Sequence, residues 1–488
     1  MRGRGGIVID DVLDGESTKH VPKLAHFVGG AMVRRAHRQR SVFEVLLPDG
    51  DKLWDPALQR IDAALEDDAL VDLIVAALAR RYPQSQRRGR LGTPADVVLR
   101  MLVLKHLSHW SFDECEREVR GSLVYRAFCR IDCERVPDAK TLIRLAQLLD
   151  GPRLKALLDR LAGMARARCV IRGRRLRVDT TVVETNIHYP TDSALLADGV
   201  RVLTRTMRQI RNQVPSVARP VRDRTRSVSR RVFEIAQRSR TVSRWRSAAR
   251  EEAHARMTQR YRELLRIARA VVGDADRVGT QMRSEAVGRT TRLRDRLRET
   301  ATAVRRVLAQ TRARVIRGDT HYPDKVLSLF EPHTEAIRKG KATKPTEFGK
   351  LVKIQEAEAQ FITDYEVCPR RVPDGTLWAS SLDRHRQLFG RPPRLAVADA
   401  GFALRGNEQL AHERGVQQVV LPRQRREHRC RWVRAALRWR TGSEGRISAL
   451  KRRHGLARCR YRGLAGMERW VGLGVIANNL LVLGRAGP

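Results

Sequence analysis

Asp179 sits where a charge is not expected. It lies in RLRVDTTVVETN (175–186), among Val178, Thr180, Thr181, Val182 and Val183. These are strand formers, and aspartate is depleted from strands. The stretch RLAVADAGF (394–402) repeats the pattern, an apolar strand ending in Asp399 with Gly401 after it. A buried carboxylate needs a partner, a proton or a metal. Glu184 is five residues from Asp179, and side chains alternate across a strand, so a regular strand puts the two on opposite faces. Two carboxylates pointing from apolar strands to one site suit a divalent cation, since Mg²⁺ takes one or two carboxylates plus substrate phosphates. Two such ions about 3.5–4 Å apart can clamp an in-line phosphoryl displacement. A third carboxylate is available in RTGSEGRISALKRRHGL (440–456). Ser443 reads as an N-cap and Glu444 as the first residue of a helix. Ile447 and Leu450 form its buried face, Arg440 lies one turn before Glu444, and Lys451 lies near the same stripe, placed for a phosphate. By itself a glutamate at a helix start is ordinary dipole chemistry.

The composition says what such a site meets. The 488 residues carry 97 Lys and Arg against 54 Asp and Glu, a net charge of +43. A chain this basic is expected to meet phosphate, and nucleic acid is the leading partner. An apolar content of 42% with clear periodic segments argues against a basic disordered chain. The seven cysteines are scattered without paired CxxC units, which excludes a zinc ribbon or finger and fits a reducing compartment. Cys129 and Cys133, four apart, are expected on one helix face. The basic N-terminus MRGRGGIVIDD has too short an apolar run for a signal segment. WVGLGVIANNLLVLG (470–484) is interrupted by Asn478 and Asn479, and it falls short of the ~18 residues of a membrane span. It reads as a buried helix, and no membrane partner is expected.

The elements that must position the acids follow from periodicity. Residues 1–53 are weakly patterned. Residues 54–81 read as amphipathic helix, with Leu58, Ile61, Leu65, Leu70, Leu73, Ile74 and Leu78 at helical spacing. Residues 90–167 read as short helices. Their start signals are Thr93 before Pro94, Ser111 with Glu114 as a capping box, and Asp138. Residues 54–170 together suggest a helical DNA-binding or dimerisation domain. Strand alternation begins at 174–186. Residues 201–320 interrupt it with 32 arginines, no lysine and 11 acidic residues, and helical spacing shows in YRELLRIARAVV and TRLRDRLRETATAVRRVLAQ. This is expected to be an inserted helical domain whose arginines contact phosphate. Strand patterns return at 326–331, 351–367, 394–402 and 416–423, and helix closes the chain from about 443.

The quoted motifs carry a resemblance. VDTTVVETNIHYPTDSALLADG (178–199), FEPHTEAIRKGK (330–341), ITDYEV (362–367), VADAGF (397–402), SEGRISALKRRHGL (443–456) and YRGLAGMERWVGLGVIANN (461–479) resemble the ISNCY-type insertion-sequence transposases. These belong to the broader ribonuclease H-like DDE group. LGTPADVVLRMLVLKHLSHWSF and RVPDAKTLIRL resemble the helical N-terminal region of that family. The resemblance implies an α/β fold: a ribonuclease H-like mixed sheet with flanking helices, interrupted by the arginine-rich insertion and preceded by an all-α domain. The catalytic domain would then comprise residues 171–200 and 321–488.

The resemblance also implies that Asp179, Asp399 and Glu444 are catalytic and bind Mg²⁺ or Mn²⁺. It places Asp179 on the first strand, Asp399 after the fourth and Glu444 on a following helix. Arg440, Glu444 and Lys451 match the family's Tyr/Arg/Glu/Lys signature, with Leu437 where tyrosine is expected. Lys339 and Lys341 are expected on phosphate, like Arg440 and Lys451. Glu184, His188, His321 and His333 are expected to be structural. The implied activity is DNA transposition: cleavage at element ends, then attack of the 3′-hydroxyl on target DNA. Homodimers or larger homo-oligomers on DNA, in the cytoplasm and nucleoid, are the implied setting. The alternatives are a metal-dependent nuclease of the same fold and a transposase-derived DNA-binding protein without catalysis.

Overall fold

The computed structural model describes residues 31–32, 34–35, 54–81, 90–132, 134–214, 221–241, 247–282, 289–338, 345–422 and 430–486. Two short strands, β1 (Ala31–Met32) and β2 (Arg90–Leu91), pair in parallel. The segment 54–81 forms two helices, α1 (Pro56–Leu65) and α2 (Asp68–Ala79). The break has a local cause: Asp67 leaves helical geometry and its carboxylate accepts the Leu70 amide, which starts a new helix. There follow α3 (Ala95–Leu107), α4 (Phe112–Gly121), α5 (Leu123–Phe128), α6 (Ala139–Ala146) and α7 (Gly151–Ala167). The capping box at Ser111 and Glu114 is formed, and Asp138 caps α6 through the Thr141 amide. At α3 the cap residue is Pro94, without a side-chain cap bond, so the helix begins one residue later than the Thr-Pro pair suggests. Cys129 lies beyond the end of α5, because Arg130 takes a left-handed φ of 55° that stops the helix. Cys133 lies outside the described residues.

The chain then enters a sheet with β3 (Arg175–Glu184) and leaves it for four helices, α8 (Asp192–Gln213), α9 (Thr225–Thr241), α10 (Ser247–Gln281) and α11 (Arg289–Thr311). These helices bury their own core, which includes Leu196, Val200, Leu203, Leu264, Val271, Leu297 and Val304. The stretch 326–331 is not a strand, contrary to its apolar pattern. Ser328 Oγ accepts the amides of Phe330 and Glu331, each at 3.1 Å, and so turns the chain. The sheet resumes with β4 (Glu335–Ile337), β5 (Glu347–Glu356) and β6 (Ile362–Val367). After α12 (Trp378–Phe389) come β7 (Leu395–Ala398), α13 (Asn407–Glu413), β8 (Gln418–Val420), α14 (Arg431–Arg453) and α15 (Leu464–Arg485).

The strand order is β4-β5-β3-β7-β8, with β6 also paired to β5. β5 runs antiparallel to β3, while β7 is parallel to β3 and β8 parallel to β7. The helical excursion starts and ends at one row of the sheet, because Glu184 and Glu335 both pair with Gly349. Gly349 is needed there: a Cβ would fall on the Val183 carbonyl oxygen and 2.7 Å from the Glu184 Cα. One face of the sheet buries Leu176, Val178, Val182, Ala396 and Ala398 with Trp378 and Leu382 of α12. On the other face Leu395, Val397 and Val420 meet Ala436 of α14, and Val352 and Ile354 meet Trp470, Val471 and Val475 of α15.

α15 joins the two halves. Leu473, Ile476, Leu480 and Leu483 belong to the core built by α1–α7, while Met467, Trp470, Val471 and Val475 belong to that of the sheet. No helix among the described residues is long and apolar enough to cross a membrane. The two asparagines that interrupt its apolar run have defined partners. Asn479, fully buried, accepts the Ile362 amide at 3.0 Å and donates to the Ile362 carbonyl at 2.7 Å, which pairs the start of β6 as a neighbouring strand would. Asn478 Oδ1 accepts from Arg446 Nη1 of α14 at 2.8 Å. Asn479→Ala strands one buried N–H and one C=O, each worth about 1–3 kcal/mol. The expected result is a loss of about 2–6 kcal/mol in urea unfolding; a variant as stable as the parent would show that the bridge carries no weight.

Candidate active site

β3 carries Arg177 and Asp179 on the face covered by α14. Val178 is the last residue of β3 paired to β7, opposite Ala398, so Asp179 and Asp399 follow in step on adjacent parallel strands. Such strands lie about 4.8 Å apart. Asp399 stays extended (φ −80°, ψ 178°), and its Oδ1 accepts the Gly401 amide at 3.0 Å. Asp179 is 9% exposed; Oδ1 accepts the Thr180 amide at 2.7 Å and Oδ2 accepts the Ser443 hydroxyl at 2.9 Å. The register and that bond set Asp179 and Asp399 side by side at the end of β7, below α14.

The acid motif on α14 is built differently from its sequence reading. The helix begins at Arg431, so Ser443 and Glu444 are mid-helix, and Ser443 does not cap. Thr441-Gly442-Ser443 is a close-approach window. A Cβ on Gly442 would come within 2.5 Å of Arg177 Nη1, which accounts for a glycine in a helix interior despite its cost of about 1 kcal/mol. Ser443 faces the strand. Glu444, the next residue around the helix, has a side chain 63% exposed and 3.4 Å from Arg440 Nη2. Lys451 Nζ lies 3.8 Å from Glu347 Oε1. Leu437, at the tyrosine position of the signature, packs with Leu395, Val397, Val420 and Ala436, so an apolar side chain suits it. Lys339 and Lys341 lie outside the described residues.

The other candidates have local partners. Glu184 lies 3.5 Å from Arg458. His188 lies 3.5 Å from Asp198, His321 is 3.2 Å from the Thr320 hydroxyl, and His333 is 3.5 Å from Glu331. Sequence reasoning missed Asp374, since VPDG reads as a turn. It stands on the turn before α12. A Cβ on Gly401 would meet Asp374 Oδ2 at 3.0 Å and Asp399 Oδ1 at 3.2 Å, so both carboxylates border one small recess.

Carboxylate oxygens of this kind are donors that suit a hard divalent cation. Among the described residues, no group of three or more His, Cys, Asp and Glu side chains is gathered closely enough to hold a metal ion. The acids come together as a strand pair, and Glu444 rides on the covering helix with its carboxylate beside Arg440.

A buried ion pair fixes this arrangement. Arg177, 2% exposed, donates to Glu356 Oε2 at 2.6 Å and to the Trp439 carbonyl of α14 at 2.6 Å. Arg446 Nε lies 3.9 Å from the same carboxylate oxygen. Burial pushes the Glu356 carboxyl above its ordinary range, Arg177 opposes that shift, and Asp179 adds to it. Removing one member leaves a buried charge uncompensated, at about 3–5 kcal/mol. Arg177→Leu is therefore expected to destabilise strongly, and Arg177→Leu with Glu356→Leu to recover much of the loss. A denaturation cycle with additive effects would refute the coupling.

The chain also shows its relationships. A transposase domain model (DUF772) matches residues 44–148, and a transposase DDE domain model matches 405–483. The second match contains Arg440, Glu444 and Lys451, and stops short of both aspartates. No curated relative and no solved structure matched. The matches do not single out the ISNCY type. With one transposase model on the N-terminal helices and a transposase DDE model on the C-terminal segment that includes the helix of Glu444, the chain is similar to insertion-sequence DDE transposases over these two segments.

Proposed function

We propose that this protein cuts DNA at the ends of an insertion sequence and joins the freed 3′-hydroxyl to target DNA. The observation that carries the reading is the matched register of Asp179 and Asp399 beneath the helix of Glu444. The sheet order supports a ribonuclease H-like core. Leaving aside the short β4, the first strand (β3) is flanked by the antiparallel second on one side and by the parallel fourth and fifth on the other. Ligands of open α/β sheets bind outside the carboxyl ends of parallel strands, and Asp399 stands just past the carboxyl end of β7, where the pairing of β3 with β7 stops before Asp179.

In this reading Asp179 and Asp399 hold the divalent cation, Mg²⁺ or Mn²⁺, and Glu444 supplies the third carboxylate. When bound, the cation neutralises charge developing on the phosphoryl group during in-line displacement. The chain itself orients and binds. Arg440 stands beside Glu444 and presents a guanidinium to phosphate, and Lys451 follows on the same helix. The excursion helices start at the carboxylate end of the sheet, beside Gly349, and Arg262, Arg266 and Arg269 are exposed at helical spacing along α10. These arginines are the proposed grip on flanking DNA, and two copies of the chain would pair the two ends.

Labelled end DNA with Mg²⁺ or Mn²⁺ tests the reading: joined product supports transposition, cleavage alone supports a nuclease, and a mobility shift without cleavage supports a binding protein. Asp179→Asn, Asp399→Asn and Glu444→Gln are each expected to lower cleavage by at least about 10²–10³-fold, the scale of losing one electrostatic stabiliser, with end binding retained. Normal cleavage by Asp399→Asn would sink the assignment. Binding is expected to weaken steeply with salt, with a log–log slope of about −0.9 per neutralised phosphate. Replacing Arg262, Arg266 and Arg269 together by alanine should flatten that slope by up to about 3. An unchanged slope would remove α10 from the DNA-contacting surface.

A further inference from the structure

We propose that Ser443 is a positioning residue that sets the carboxylate of Asp179 for cation binding, an assignment that rests on the metal-dependent reading above. Ser443 is 2% exposed at the middle of α14, and its Oγ donates to Asp179 Oδ2 at 2.9 Å. The other oxygen of that carboxylate accepts the Thr180 amide at 2.7 Å. Two donors, one on each oxygen and from different elements, fix the plane of the carboxylate.

The serine is free to do this because of its surroundings. A mid-helix serine commonly turns back to the carbonyl four residues earlier. Here that carbonyl belongs to Trp439, and Arg177 Nη1 occupies it at 2.6 Å. The hydroxyl has one hydrogen, and it goes across to the strand. Gly442, with no Cβ, lets the helix come close enough for so short a side chain to reach. Ser443 thus couples the strand of the first acid to the helix of Glu444, its immediate neighbour in sequence. A hydrogen-bond partner behind a metal-ligating side chain typically accounts for about 10–100-fold in metal affinity.

The test uses the full-length protein and Mn²⁺, with free Mn²⁺ read by electron paramagnetic resonance in the absence of DNA. Cleavage of labelled end DNA and gel-shift binding are measured in parallel. Asp179→Asn should abolish the Mn²⁺ site. Ser443→Ala should weaken Mn²⁺ binding about 10-fold or more and raise the Mn²⁺ needed for half-maximal cleavage, with DNA binding unchanged. Ser443→Thr, which keeps the hydroxyl, should restore both. Ser443→Cys, near in size but a poor donor, should fall between, and it tests the bond where alanine disturbs folding. The assignment is overturned if alanine or cysteine binds Mn²⁺ as the parent does, or if threonine is as weak as alanine. If Asp179→Asn itself binds Mn²⁺ like the parent, the metal reading has failed and the role of Ser443 falls with it.

Discussion

The structure turns on a polar layer trapped between the sheet and α14. Arg177 reaches from β3 to Glu356 on β5 and to the Trp439 carbonyl on α14, and Ser443 returns from α14 to Asp179. Each link joins two elements far apart in sequence. A buried ion pair is a poor source of stability, because desolvating both ions offsets most of their attraction. Its use here is geometric. An apolar helix could slide or rotate over an apolar strand at small cost, whereas each donor in this layer has one acceptor. The helix is thereby held in one register on β3, and the place of Glu444 on it, one residue after Ser443, follows from that register.

The rest of the fold supports this layer. α15 is buried among both cores, so the helices of the N-terminal region cannot rearrange without disturbing the sheet. Its asparagines extend the polar layer to the edge of the sheet. Asn478 receives Arg446, whose guanidinium also meets Gln360, and Asn479 pairs the start of β6. Leaving the sheet for four helices does not break this frame, because the exit and the return share the row of Gly349. The excursion has its own core and an arginine-rich outside, so it folds on its own apolar contacts and leaves its cations to solvent.

What was legible in the sequence, and what was not, divides along physical lines. Strand alternation located β3, β5, β6, β7 and β8, and parity separated Glu184 from Asp179; Glu184 duly takes Arg458. Caps at Ser111 and Asp138 were readable because they are local hydrogen bonds. The misreadings arise where a distant contact overrides a local signal. Gly442-Ser443 resembles a helix start, because glycine and serine are rare in helix interiors. Only the docking of Arg177 explains them there, and Arg177 is 265 residues away from Gly442. The stretch 326–331 had a strand composition, but Ser328 turned it. Asp374 hid in a turn signature, since nothing local indicates that Gly401 brings it to Asp399.

The same layer bears on how acids and cations are kept apart in a chain with 97 Lys and Arg. Arg177 stands two residues before Asp179 on one strand face, and an unpaired guanidinium there would compete with any cation for that carboxylate. Glu356 prevents this by engaging Arg177 at 2.6 Å and drawing Arg446 to 3.9 Å. Burial alone would favour a neutral Glu356, and its two arginines work against that. Asp179 accepts an amide on one oxygen and a hydroxyl on the other. Such donors orient a carboxylate without cancelling its charge, and a carboxylate oxygen with lone pairs to spare can still face a cation. The surplus arginines stay on the solvent side of the helices, where attraction to phosphate is long-ranged and tuned by salt. In the proposed reaction, this separation of the two sets of charge would let one chain attract a polyanion and still present acids to it.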